Sequence, residues 1–319
     1  MVIFMSNKPT VYIHTNDKQI VGAKVGTYSM RKASKHPDEF DVKLIRLEET
    51  AHLLKRQGMS YLRKGKKAIW HNEDLQSFSP LRKMVPQLMG FKGRALVVDP
   101  DVFAVGDVYD LLTRDMGGKA ILCRNVSDGY KGNGHPFYAS SVMLLDCTRL
   151  QHWRWDEDID RMFNGELDYG PWIGLKHENP DIIEEIGEEW NSFDKLISET
   201  KLLHTTERLT QPWKTGLPID FDQNVNTTPS SKNSGTQSPT AIFARFFRTF
   251  FNQKSSESVS TVRHYQAHPD QKQEKFFFEL LRGAIDEGYI DMEMIQQRMV
   301  ANDVRHDAIE LLISMGFNG

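Results

Sequence analysis

The chain reads as an α/β protein with a small helical region at its C-terminal end. Three observations predict this: a strand–helix–strand pattern near the start, a short apolar run at 95–98 bounded by charge, and helix-spaced apolar positions after residue 273. An apolar run of that length fits a strand buried on both faces. Strand–helix–strand order is the grammar of an open sheet, and such sheets bind ligands beyond the carboxyl ends of their strands.

Residues 10–14 form the first expected strand and lead into a polar turn at 15–18. A helix follows from Ile20 to about Ser34, with Val21, Val25, Tyr28 and Met30 near helical spacing, and 42–46 alternates as a second strand. By the sheet-edge rule, Thr15, Asn16 and Asp17 are candidate nucleotide contacts; an ordinary polar loop is the competing reading. The basic run at 63–67 reads as a solvated loop, or as an attraction for an anionic donor, acceptor or lipid surface. Residues 80–89 read as a helix with Arg82 in its first turn. A cation there gains nothing from the helix dipole, so Arg82 is expected to have a partner elsewhere, if only in a surface salt bridge.

Chemistry concentrates at 94–107. Asp99 and Asp101 stand two apart where the strand should end, and in extended backbone such residues point to one side. Pro100 between them fixes φ and cannot donate to a ladder, so the chain leaves the sheet there. Hard carboxylate oxygens suit Mg²⁺ or Mn²⁺, ions commonly shared with substrate phosphates. A plain Asp-Pro turn fits the tripeptide equally well. Asp107 is placed to cap a helix at 108–112. A strand at 119–123 follows, then a glycine-rich stretch at 128–135 without phosphate-loop spacing, read as a mobile segment. The next strand, 137–146, has small residues at 139–141 that permit close approach of backbone or ligand. Trp153, Trp155, Trp172 and Trp190 are either core anchors or stacking faces for sugar rings. The last strand, 200–204, ends on His204, where a third metal ligand would join Asp99 and Asp101.

At 319 residues the chain is long for one domain. A net charge of −3, from 40 basic and 43 acidic residues, offers no global electrostatic case for nucleic acid. Cys123 and Cys147 lack metal-type spacing and read as a buried reduced pair. The apolar start at 1–5 is too short for a signal peptide and no run approaches a membrane span, so a cytoplasmic protein is expected, with peripheral membrane contact open. The expected division is a main domain at 1–220, a flexible linker at 221–240, an amphipathic helix with a polar linker at 241–272, and a helical region at 273–319. In 241–251, Phe243, Phe246, Phe247 and Phe250 share one side and Arg245 and Arg248 flank it, as in a helix lying on an anionic membrane or docked on the main domain. In the last region Gly288 marks a stop, Asp291 or Asp303 caps a helix, and Ile295, Met299, Ile309, Leu312 and Ile313 supply a small core. Oligomerisation or partner binding is its expected role.

In their order, these pieces resemble the family 8 retaining glycosyltransferases, the glycogenin and lipopolysaccharide galactosyltransferase group. The resemblance runs from roughly residue 10 to 215 and rests on the early strand and turn, Arg82 and Pro86, the run 93–101, the strand 140–146, Glu189-Trp190-Asn191, and His204 with Pro212-Trp213. It implies a GT-A fold, one nucleotide-binding α/β domain with a mixed, mainly parallel sheet between helices. It also implies that Asp99, Asp101 and His204 hold Mn²⁺ (or Mg²⁺) on the diphosphate of a nucleotide sugar, that Ile13 to Asp17 cradle base and ribose, and that Arg82 lies near the donor. Asp168 falls about where the family places an acid or amide near the sugar, although a surface acid would look the same. Two departures stand out: Glu207 occupies the place of a glycine, and Gln211 that of a lysine, both of which serve the diphosphate in the family. Lys214 or Arg208 is the candidate replacement cation. The expected function is metal-dependent sugar transfer, with retention, from a nucleotide-diphosphate sugar to a glycan, lipid or protein acceptor. The alternatives are a sugar nucleotidyltransferase and a catalytically weak relative kept as a binding or scaffold protein.

Overall fold

A mixed six-stranded sheet carries the site. In the computed structural model, residues 8–126, 136–221 and 263–316 are described. The apolar start at 1–5, the glycine-rich stretch at 128–135, the expected linker from 222 and the Phe/Arg-rich stretch at 241–251 lie outside them.

Strand β1 (Thr10–Thr15) leads through α1 (Ile20–Lys32) to β2 (Asp41–Arg46), which pairs parallel beside it. A short α2 (Ala51–Leu54), the hairpin of β3 (Ser60–Arg63) and β4 (Lys66–Ile69), and α3 (Val85–Leu88) precede β5 (Arg94–Val98), parallel to β1 on its other side. The chain continues through β6 (Val102–Ala104), α4 (Val108–Leu112), β7 (Ile121–Val126) and β8 (Phe137–Asp146). Then come α5 (Trp155–Phe163), α6 (Tyr169–Ile173), β9 (Ile183–Glu185), β10 (Ser192–Phe193) and β11 (Leu202–His204). Helices α7 (Gln271–Asp286), α8 (Met292–Val300) and α9 (Ala308–Ser314) follow. The main sheet runs β2-β1-β5-β8-β7-β9, with β8 antiparallel to both neighbours. A second sheet, β10-β11-β6, sits at its carboxyl edge.

β5 is buried on both faces: Ala95 and Val97 enter one core cluster and Leu96 and Val98 the other. Immediately after it, β6 runs antiparallel to β11, with Val102 opposite His204. This register brings a histidine from late in the chain beside the 99–101 turn. α1 backs the turn closely. A Cβ on Gly22 would lie 2.7 Å from the Pro100 carbonyl oxygen, so only glycine admits this approach.

Three local readings differ from the structure. The basic run 63–67 is not a loop but the tip of the β3–β4 hairpin, turning on Lys64 (φ 53) and Gly65 (φ 72). Positive φ at both positions matches the twist that two-residue hairpin turns require. The helix expected at 80–89 is split into a 3₁₀ segment, Ser79–Met84, and the short α3. Pro86 cannot sit inside one continuous helix, because its ring would clash with the carbonyl four residues earlier, so it falls in the first turn of a new one. The tryptophans 153, 155, 172 and 190 are all buried core residues, so none offers a face to a sugar.

The C-terminal helices do not build a separate core. Phe277, Phe278, Leu281 and Leu312 share one cluster with Val21, Val25 and Tyr28 of α1 and with Phe103 and Trp213. Trp213 stacks on Phe277 and accepts at its carbonyl from the Arg305 N–H, so the Pro-Trp pair anchors this region. Asp291 caps α8 as expected, whereas Asp303 caps nothing and Ile313 is mostly exposed. Among the described residues, no helix is long and apolar enough to cross a membrane.

Candidate metal centre

Asp99, Asp101 and His204 converge at the carboxyl edge of the main sheet, each offering a ligand atom within 4.8 Å of the others. Each arrives by a different route: Asp99 just after β5, Asp101 across Pro100, and His204 at the end of β11 through its pairing with β6. They line an open cleft of about 630 Å³.

Asp99 is the more heavily held of the two carboxylates. Arg82 grips it through Nε at 2.9 Å and Nη2 at 2.5 Å, and places Nη1 3.0 Å from Ser140 Oγ. This partner is the one that Arg82's position in its turn called for. His14 Nε2 lies 2.9 Å from Asp99 Oδ1 and 3.1 Å from Arg82 Nε. The shorter contact is a donation to the carboxylate, and it leaves the buried Nδ1 without a partner. Burial opposes ionisation of Asp99, but the Arg82 charge and the His14 hydrogen bond together hold its carboxyl well below the usual range. For His14 burial dominates, and its pKa is lowered.

His204 is prepared differently. Asn191, fully buried, donates from its amide to Ser141 Oγ at 3.1 Å, which turns its oxygen toward His204 Nδ1 at 2.9 Å. Nδ1 therefore carries the hydrogen, and Nε2 presents its lone pair 3.3 Å from Asp101 Oδ1. Two acceptors at that distance require a cation between them. Burial lowers the His204 pKa, but the Asp101 charge outweighs it and the net shift is upward, toward the protonated ring. A divalent ion satisfies the same geometry, and an imidazole oriented by hydrogen bonding at its other nitrogen is the usual state of a metal-bound histidine. The three residues thus fit an ion with oxygen and imidazole ligands. Gln211 Nε2 donates to Asp101 Oδ2 at 3.2 Å, so this neutral side chain steadies the second carboxylate.

Several residues expected at the site make contacts within the fold. Ile13 is wholly buried in the sheet core. The Thr15 hydroxyl donates to the Asn16 carbonyl, and Asn16 caps the turn 17–19 while donating to Asp74 and Ser77. Asp17 pairs with Arg46 and Arg298. None of these four lines the cleft. Lys214 is fully buried, with Nζ 2.9 Å from Asp220 Oδ2, and does not line the cleft. Asp168 accepts three backbone N–H groups, from Lys64 at 2.8 Å, Gly65 at 2.6 Å and Gly170 at 2.8 Å, and fastens the β3–β4 turn to α6. Burial alone would raise its pKa; those three donors outweigh it and lower the pKa, and Asp168 too lies outside the cleft. Residue-by-residue reading missed His14 and Asn191 as supports. Nothing local marks either: His14 is an in-strand histidine, and Asn191 is thirteen residues from the ring it orients.

No protein-family model and no curated protein matches the chain. Among solved structures, the glycosyltransferase GlyE of Streptococcus pneumoniae is similar at 14% identity, over 65% of this chain and 56% of its own, with a TM-score of 0.45. The bifunctional glycosyltransferase WbbM is similar at 10% identity, over 67% of this chain and 48% of its own, with a TM-score of 0.46. The galactosyltransferase LgtC, solved with donor and acceptor sugar analogues, is similar at 14% identity, over 64% and 89%, with a TM-score of 0.44. The chain spans about half the length of the first two.

Proposed function

We propose that the chain transfers a sugar from a nucleotide-diphosphate sugar to an acceptor, with a divalent ion held by Asp99, Asp101 and His204. The observation that carries this reading is the facing pair of His204 Nε2 and Asp101 Oδ1, tautomer fixed by Asn191, inside an open cleft at the sheet's carboxyl edge. A bound Mn²⁺ or Mg²⁺ would supply Lewis-acid neutralisation of charge on a leaving nucleoside diphosphate. The chain's own residues do the positioning. Arg82 fixes Asp99 against Ser140, Gln211 fixes Asp101, and Asn191 fixes His204. Phe137, Tyr138, Phe193 and Phe221 give the cleft aromatic walls, suited to a base or a sugar ring.

Membership of family 8 and retention at the anomeric carbon belong to the same reading, and the order of the motifs supports them. Residues 1–220 would carry the chemistry, with 263–316 completing the fold. A second reading, a nucleotide-sugar-binding scaffold, is favoured by one observation: Arg82 already neutralises Asp99, and Gln211 adds no charge.

The deciding experiment screens nucleotide sugars for hydrolysis with Mn²⁺. The expected result is slow release of one nucleoside diphosphate, abolished by EDTA and by Asp101→Ala. Binding of a nucleotide sugar without release would favour the scaffold. Pyrophosphate released from a nucleoside triphosphate and a sugar phosphate would replace both readings with nucleotidyl transfer.

A further inference from the structure

Asp194 stands at the exit of β10 in the left-handed region, with φ 52. Few side chains adopt that conformation, and aspartate is among those that tolerate it. The bend it makes turns its carboxylate back on the chain leaving β11. Oδ1 accepts from the Glu207 N–H at 3.1 Å, and Oδ2 accepts from the Thr206 hydroxyl. The Asp194 N–H donates to the His204 carbonyl at 3.0 Å. Thr205 reaches the other way: its N–H and its hydroxyl both donate to the Asp101 carbonyl, at 3.0 and 3.2 Å. The stretch that carries the candidate metal histidine is thus clamped from two sides. Thr206 and Glu207 line the cleft, and Asp194 does not.

Asp194 is itself held from far along the chain. Its carbonyl accepts at 2.8 Å from Gln273 Nε2, on a buried side chain in the first turn of α7. Asp270-x-x-Gln273 has the spacing of a capping box, in which the glutamine would fold back onto the N–H of the cap. That N–H goes instead to His268 Nδ1 at 3.1 Å, which leaves Gln273 to reach Asp194. Gln273 Oε1 is buried and accepts from none of the described residues. A buried carbonyl left unmet costs stability, so packing alone does not account for a glutamine at this position. What the side chain gains is its contact beside the metal centre.

We propose that Asp194 is a positioning residue for the Asp99–Asp101–His204 centre, and that Gln273 ties the C-terminal helices to that centre through it. This rests on the metal reading above. Asp194 sets the path of the chain from His204 to Glu207, and with it the direction in which the imidazole meets Asp101. The helices of 263–316, which the glycosyltransferase resemblance does not reach, then act on ion affinity as well as on the fold.

Calorimetric titration of the full chain with Mn²⁺, beside thermal unfolding, tests both halves. Asp194→Gly keeps the positive φ without strain and removes only the carboxylate. It is expected to weaken Mn²⁺ by about 10-fold, the lower end for loss of a partner that orients a ligand. Asp194→Asn keeps an acceptor for the Glu207 N–H and tolerates the same φ, so it should recover most of that loss. Gln273→Leu fills the space without donating. It should weaken Mn²⁺ by roughly 2- to 10-fold, the worth of one hydrogen bond, while its Tm holds or rises because the unmet oxygen is gone. Wild-type Mn²⁺ affinity in Asp194→Gly, whatever its Tm, would overturn the proposal and make the clamp purely structural. A loss shared in full by Asp194→Asn would also overturn it, by assigning the effect to charge rather than to position. Wild-type affinity in Gln273→Leu would sever the C-terminal helices from the centre. If the unsubstituted chain binds no Mn²⁺, the metal reading itself falls and takes this proposal with it.

Discussion

Asp168 and the Asp99–Asp101 pair are both acidic positions at the end of an element, and both were candidates for chemistry. They differ in what donates to them. Asp168 takes three hydrogen bonds, all from main-chain N–H groups. Asp99 and Asp101 take theirs from the side chains of Arg82, His14 and Gln211. A main-chain donor is fixed by the fold and cannot withdraw without unfolding the turn. A side-chain donor can rotate away and leave its oxygen to an incoming cation. One carboxylate is therefore a rivet, and the others form a socket.

The contrast breaks most clearly on Asp101→Ala. Mn²⁺ affinity, read by calorimetry, should drop by more than ~100-fold, since a ligand is lost outright and loss of a supporting partner alone costs about 10–100-fold. Undiminished Mn²⁺ binding would show that the three residues do not form a socket. Asn191→Ala should give the smaller effect, about 10–100-fold on Mn²⁺, because it frees the His204 tautomer without removing a ligand. Asp168→Ala is expected to leave Mn²⁺ affinity and sugar-nucleotide hydrolysis intact while lowering stability by about 1–2 kcal/mol, the cost of a lost helix cap. Loss of transfer with full stability in that variant would return Asp168 to the chemistry.

The smallest effect expected concerns a second buried carboxylate, Glu178. It accepts from Lys83 Nζ and Trp153 Nε1, both at 2.8 Å, and meets His152 at 2.7 Å. Burial would raise its pKa, but Lys83 and His152 together hold it below the ordinary glutamate value. A depressed carboxyl contributes stability that is complete above its unfolded pKa, about 4.5, and fades as pH falls through the lower folded value. Tm should therefore decline below about pH 4.5, and Glu178→Gln should flatten that part of the profile. An unchanged slope would assign acid sensitivity to other groups.

Much of the sheet was legible because its signals are local. The apolar run of β5 and the 137–146 strand are continuous enough to read directly, and the structure reproduces the second to the residue. Asp99, Asp101 and His204 were legible because all three sit at strand ends, where an open sheet exposes its edge. The partners of the 15–17 turn were illegible for the opposite reason. Its polar side chains are taken up by Arg46, Asp74, Ser77 and Arg298, the last reaching Asp17 from 281 residues away. No local pattern signals such a partner. The tryptophans misled because density of aromatics does not say which side they face. Lys83 shows where two of them go: its Nζ lies 4.1 Å from the Trp153 ring centre and 5.4 Å from that of Trp172.

The cluster that joins α1 to Trp213 and α7 bears on how the protein can be handled. A fragment stopped at residue 220 would keep every proposed metal ligand, yet it would turn Val25, Tyr28, Phe103 and Trp213 outward as one greasy face. Contiguous apolar surface of that kind drives chains together in water. Trimming to the apparent chemical unit would yield insoluble material, and any useful shortening must retain 263–316.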